Sequence, residues 1–213
     1  LLRKYNSMKV VVRCTVNQQN EVLQKATANN ASFNFMNRSF VEFINSTGDV
    51  FIDLIDDEID NSANNSTKLF FKNAVIATCK QLPNNCIRLN GWNSFIQREI
   101  IEIATPTHEK YVAEIMKILS WKYQLVQDSC GMIAPRIIAM IVNEAYFGLE
   151  DNISTKKEID IAMKLGTNYP YGPFEWSEKI GLHNIYQLLI NLSKQDKRYT
   201  PANLLATEAT KKI

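Results

Sequence analysis

Between Lys9 and Val126 short apolar runs alternate with helix-patterned stretches, and that alternation narrows the possible folds more than any other feature of the chain. Lys9–Val12, Ser32–Met36, Val50–Ile55, Leu69–Phe71, Cys86–Leu89 and Lys122–Val126 read as strands, because β-branched and aromatic side chains pack well on a pleated surface. Glu99–Ala104 is a strand or a helix; its Ile–Ile–Glu–Ile run does not decide by period. Between these runs lie a helix over Gln18–Lys25, capped by Thr15 or Asn17, a helical turn over Ser39–Ile44, and a helical segment around Val75–Lys80. A further helix starts at Thr105–Pro106, with Tyr111, Ile115, Ile118 and Leu119 on one face. Asn61–Thr67, polar and without period, is expected to be a loop. Strands alternating with helices predict a mostly parallel sheet covered on its faces.

After Gly131 the pattern changes to long helices. Met132–Leu149 is apolar and broken only by Pro135, which a first helical turn tolerates. Ser154 is expected to cap a helix through Leu165, with Gly166 as its terminator. A rigid Asn168–Phe174 loop leads to helices at Glu175–Ile180 and Ile185–Ser193, separated by Gly181. The expected organisation is an α/β domain over 1–129 and an all-α domain over 130–213.

Composition excludes several functions. The 24 basic and 22 acidic residues give a net charge of +2, and no basic block tracks a phosphate backbone, so no nucleic acid is expected as a partner. No apolar run reaches membrane-spanning length. Cys14, Cys79, Cys86 and Cys130 form no C-x-x-C pair and fit a reducing, cytoplasmic compartment. His108 and His183 stand far apart, so no metal site is expected, and both read as exposed cap-region residues. Arg3 and Lys4 precede no apolar segment, and Met8 is a candidate start of the folded part, with Leu1–Ser7 a tail.

The helical half resembles the C-terminal domain of the 3-hydroxyacyl-CoA dehydrogenases, such as the 3-hydroxybutyryl-CoA enzymes. Arg136, Asn143–Glu144–Ala145, Asp160–Ile161–Ala162–Met163, Gly166, Pro170, Gly172–Pro173–Phe174 and Gly181–Leu182 carry the likeness, which covers Gly131 to about Leu205. Nearly all of these positions also read as turn and core. The resemblance implies a homodimer paired through this domain, with the helix Ile133–Leu149 as the pairing surface, and a role in fatty-acid or butyrate metabolism.

The same resemblance implies an NAD site opening with strand, G-x-G-x-x-G, helix, whose glycines let backbone approach the pyrophosphate. Here Lys9–Val12 leads into Arg13–Cys14–Thr15–Val16–Asn17–Gln18, and no glycine precedes Gly48. The first domain therefore reads as a shortened, degenerate Rossmann-like domain, and no cofactor is expected unless the family activity is retained with NAD. The family's catalytic His lies in His-Phe-Phe-Asn-Pro, twelve places before a Glu that orients it. Aligned through Glu102, the histidine position falls on Asn90, the second aromatic on Trp92 and the asparagine on Asn93. An amide does not titrate, so Asn90 cannot be a general base. The family's serine would map near Asn73–Val75, where none stands, and Pro135–Arg136 replaces its Asn-Arg.

Three functions follow, in this order. The chain binds an acyl-CoA or similar ligand, or a partner, without hydride transfer. It is a structural or regulatory dimer. Or it is an active NAD-dependent 3-hydroxybutyryl-CoA dehydrogenase with an unusual site. For the first, Arg88, Trp92, Asn93 and Arg98 would line an open cleft, an arginine beside an aromatic suiting a CoA phosphate and adenine.

Overall fold

The computed structural model describes residues 7–26, 31–55 and 66–211. The chain divides into two compact units, the first ending at Met132 and the second starting at Ile133. Residues 61–65 of the expected loop, and all but Ser7 of the expected tail, lie outside the described residues.

The first unit is α/β. Its strands are β1 (Met8–Arg13), β2 (Ala31–Met36), β3 (Val50–Asp53), β4 (Phe70–Asn73), β5 (Cys86–Leu89), β6 (Ile100–Ala104) and β7 (Lys122–Leu125). They form one sheet in the order β2-β1-β3-β4-β5-β6-β7. Every pairing is parallel except β5 with β6. Glu99–Ala104 is thus settled as a strand. The period of two divides each strand between two cores. Val10, Val12, Ile52, Phe71 and Ile87 face one side, where helices α1 (Val16–Lys25) and α3 (Glu109–Leu119) bring Val22, Val112, Ile115, Met116 and Leu119. Val11, Phe51, Phe70 and Cys86 face the other, covered by Phe40, Phe43 and Ile44 of α2 (Phe40–Asn45).

Two helix expectations in this unit fail for backbone reasons. Val75–Lys80 forms no α-helix, only a 3₁₀ turn at Cys79–Gln81. The carbonyls of Ala74 and Val75 accept from the Arg88 guanidinium, and the Cys79 amide donates to Asp128, so the groups a helix would pair are already taken. The third helix starts at Glu109, not at Pro106, because the Thr105 hydroxyl accepts from the His108 amide and folds a turn there. On that helix Val112 and Met116 join Ile115 and Leu119 in the core, and Ile118 is only half-buried.

The second unit is all-α: α4 (Ala134–Glu150), α5 (Lys156–Thr167), α6 (Pro173–Ile180), α7 (Leu182–Ser193) and α8 (Asn203–Thr210). The cap of α5 is Thr155 rather than Ser154, in a capping box with Glu158, and Ser154 also donates to that carboxylate. The helix runs through Gly166 and ends at Asn168, whose φ of 54° is left-handed. Asp160 on α5 accepts from the Phe174 amide at 2.8 Å, so a carboxylate sits at the start of α6. A side chain at Gly172 would meet that carboxylate at 2.3 Å, which is why the turn holds glycine there. Asn143 of α4 donates to the Thr200 carbonyl and accepts from the Ala202 amide, fixing the approach to α8. Glu208 of α8 accepts from Tyr146 and Lys156, and Lys156 lies over the Tyr146 and Phe174 rings. Burial opposes ionisation of Glu208, yet the Lys156 and Tyr146 bonds hold its carboxyl below the ordinary range. Among the described residues no helix is long and apolar enough to cross a membrane.

Candidate functional site

In this sheet the chain leaves β1 for β2 on one side and then crosses to β3 on the other. Open parallel sheets offer their ligand crevice at such a switch point, beyond the carboxyl ends of the strands. Here the turn leaving β1 is Cys14–Thr15. Thr15 caps α1 by accepting from the Gln18 amide, and the Gln18 side chain in turn accepts from the Thr15 amide at 3.0 Å. Gln18 is buried, and its Nε2 donates to the Leu54 carbonyl at 2.6 Å and the Gly91 carbonyl at 3.3 Å. Asn73 at the end of β4 also donates to Leu54 and accepts from the Gly91 amide at 3.0 Å. Burial first, and the Asp53 carboxylate second, push the Cys14 thiol up to about 11. The fold implies a dinucleotide, but these residues do not fit its pyrophosphate. The turn offers no glycine for close backbone approach, and its Cys14, Thr15 and Gln18 amides are bonded within the chain.

A row of charges crosses the same ends of the strands. Arg13, Asp53, Lys72 and Arg88 are partners in register on four neighbouring strands, and all four are buried. Arg13 reaches both Asp53 oxygens at 3.1 Å, and Lys72 reaches one at 2.9 Å. Arg13 also donates to the Arg38 carbonyl at 2.8 Å. Arg88 pairs with Asp128 and donates to the carbonyls of Ala74, Val75 and Ser129. Although burial opposes it, the bonds from Cys79 and Arg88 keep the Asp128 carboxyl below its usual range.

Arg88 therefore corrects one expectation. It lines no open surface, because its guanidinium is 0% exposed and is spent on the loops around it. Trp92 corrects a second, being core packed edge-on against Phe95. Arg98 is half-buried, with its guanidinium over the Phe95 ring at 4.3 Å.

Asn90 and Glu102 are brought together. The antiparallel pairing of β5 and β6 lets the Asn90 amide donate to the Glu102 carbonyl at 3.0 Å. The Asn90 side chain is 3% exposed, and among the described residues its carbonyl oxygen meets no donor. The side-chain oxygen of the half-buried Asn93 is in the same position. A buried acceptor left unsatisfied costs about 1–3 kcal/mol. Between them and the next turn, Ser94 has a φ of 75° and donates its amide to Glu21 at 2.6 Å. His108, expected at a helix start, caps α3 and hydrogen-bonds the Asn84 carbonyl; His183 lies in the first turn of α7. An open depression of about 480 Å³ lined by Ile100, Met116, Trp121 and Tyr123 lies at the β6–β7 border. No cluster of His, Cys, Asp or Glu among the described residues is arranged to hold a metal.

Residues 131–212, the helical unit with its Asp160–Gly172–Phe174 turn, match the 3-hydroxyacyl-CoA dehydrogenase C-terminal domain. This segment of the chain is similar to the C-terminal domain of the 3-hydroxyacyl-CoA dehydrogenases. It is 42% identical over 86 residues to the 3-hydroxyadipyl-CoA dehydrogenase of Escherichia coli K12, covering 39% of this chain and 18% of that protein. It is 30% identical over 138 residues to the 3-hydroxybutyryl-CoA dehydrogenase of Clostridioides difficile, covering 62% of this chain and 49% of that one. The chain thus spans half the length of these relatives or less. The crystal structure of an (S)-3-hydroxybutyryl-CoA dehydrogenase from Ralstonia eutropha superposes with a TM-score of 0.70 at 18% identity. That superposition covers 95% of this chain and 93% of that one and shows the shared fold. Sequence reasoning missed Gln18, Glu21 and Asn73; the T-x-x-Q spacing announced the cap but not the second reach of Gln18.

Proposed function

We propose that this 3-hydroxyacyl-CoA dehydrogenase relative binds an acyl-CoA-like ligand at the Asn90–Asn93 loop and does not transfer hydride to or from NAD. The observation that carries this reading is Asn90, a buried amide at the position aligned with the family's histidine, whose oxygen meets no donor among the described residues. A ligand hydroxyl reaching that oxygen would satisfy it, and the named relatives act on 3-hydroxyacyl-CoA esters. Oxidation of such a hydroxyl needs a group that takes its proton, and an amide does not titrate. The bonded Thr15–Gln18 turn supports the absence of a dinucleotide grip. A metabolic place beside fatty-acid oxidation follows from the family.

The test compares 3-hydroxybutyryl-CoA with butyryl-CoA by calorimetry. Burying one more satisfied hydrogen bond is worth roughly tenfold, so the hydroxylated ester is expected to bind about tenfold tighter. Equal affinity, or steady NADH production from the ester and NAD, would overturn the proposal.

Pairing of two copies is a second reading favoured by one observation. Ile137 and Phe147 on α4, and Ile161 and Leu165 on α5, are exposed large apolar side chains, Leu165 to 84%. Helical apolar faces of this kind suit a two-fold interface.

A further inference from the structure

We infer that Gln18 and Asn73 are positioning residues, holding the Asn90–Ser94 loop in place from inside the switch-point crevice; this rests on the reading of that loop as the ligand contact. Gly91 is held at both of its backbone groups. Its amide donates to Asn73 and its carbonyl accepts from Gln18. Both side chains also donate to the single carbonyl of Leu54, which follows β3. Two amide side chains thus tie the ends of β3, β4 and β5 to the N-terminal turn of α1. One turn further along the helix, Glu21 accepts from the Ser94 amide at 2.6 Å and fixes the other end of the loop.

The buried face of α1 is unusual in this light. Helices on a sheet bury apolar stripes, yet the buried residues of α1 are Gln18, Glu21 and Val22. Burying an amide costs free energy unless its groups are bonded, and Gln18 places its donor on carbonyls 36 and 73 residues away. Helix capping alone does not require this. The cap uses only the side-chain oxygen, which a glutamate would supply equally well. Room for the clamp at Gly91 is also specific: a Cβ there would lie 2.8 Å from the Cβ of Asn73. At this turn the chain's own side-chain amides bond the neighbouring loop and orient it.

Gln18→Glu separates the two roles, because it keeps the capping oxygen and loses the donors to Leu54 and Gly91. The full chain and the variant are titrated with 3-hydroxybutyryl-CoA, with helix content followed by circular dichroism. Unchanged helix content with affinity at least tenfold weaker supports the clamp. Unchanged affinity overturns the clamp and leaves the ligand reading standing. If Gln18→Glu does not fold, Asn73→Asp is read the same way, since it keeps the acceptor for Gly91 and loses the donor to Leu54. If the unmodified chain binds no ester, the ligand reading fails, and the clamp is judged by NMR on the unmodified chain. Slowly exchanging Gln18 carboxamide protons then support it, and solvent-rate exchange overturns it.

Discussion

Asn90 sets binding against stability. Among the described residues its buried oxygen meets no donor, which costs the folded state, and the proposed function gives it a ligand hydroxyl. Asn90→Leu, similar in volume and without polar atoms, is therefore expected to raise the unfolding free energy by about 1 kcal/mol. The same change is expected to abolish the preference for 3-hydroxybutyryl-CoA. Urea unfolding and calorimetry together check this; a destabilised variant that keeps the preference would contradict it. The thiols make a second prediction at this scale. Burial raises Cys14 and Cys79 to about 11, against about 8.5 for an unfolded thiol. Between those values the folded chain holds protons that the unfolded chain has released, so rising pH favours unfolding. The urea midpoint is expected to be flat with respect to these groups below pH 8 and to fall as pH rises from about 8.5 towards 11. The pairing of the segment around Asn90 with Glu102 follows from two strands that the sequence reads as apolar runs, Cys86–Leu89 and Glu99–Ala104. The burial of Arg88 and Trp92 was not legible, since an arginine next to a strand end reads as surface until its partners, Asp128 and three loop carbonyls, are brought to it by the fold.

At the scale of elements, the charged row across β1, β3, β4 and β5 carries the sheet's largest electrostatic commitment. Asp53 is 0% exposed between Arg13 and Lys72, and its carboxylate is shared by both. Breaking a buried ion pair by removing one partner leaves an uncompensated charge. Asp53→Asn is therefore expected to cost about 3–5 kcal/mol in chemical unfolding. A loss below 1 kcal/mol would mean that the row is not a structural tie. The row had a sequence signature: the apolar runs Val10–Val12, Val50–Ile52 and Phe70–Phe71 each end on a charged residue. Its pairing needed the register, which no single strand reveals. The strands themselves were legible because β-branched and aromatic runs leave few alternatives. Helix ends were less so. Thr155 rather than Ser154 caps α5, both hydroxyls bonding Glu158, and α5 passes through Gly166 to end at the left-handed Asn168.

For the whole molecule, two compact units carry separate consequences. The second unit's exposed Ile161 and Leu165 lead us to expect a dimer in sedimentation velocity, and Leu165→Glu is expected to shift it to monomer. A wild-type monomer at micromolar concentration would contradict the pairing. The first unit carries the proposal: it shares the fold of an (S)-3-hydroxybutyryl-CoA dehydrogenase, and the proposed ligand contact rests on its Asn90 and on the Thr15–Gln18 turn. The most direct test is a calorimetric titration of the full chain with NADH, alone and then with acetoacetyl-CoA present. The account predicts no heat from NADH in either case and saturable binding of the ester. Micromolar NADH binding at one site per chain would contradict it.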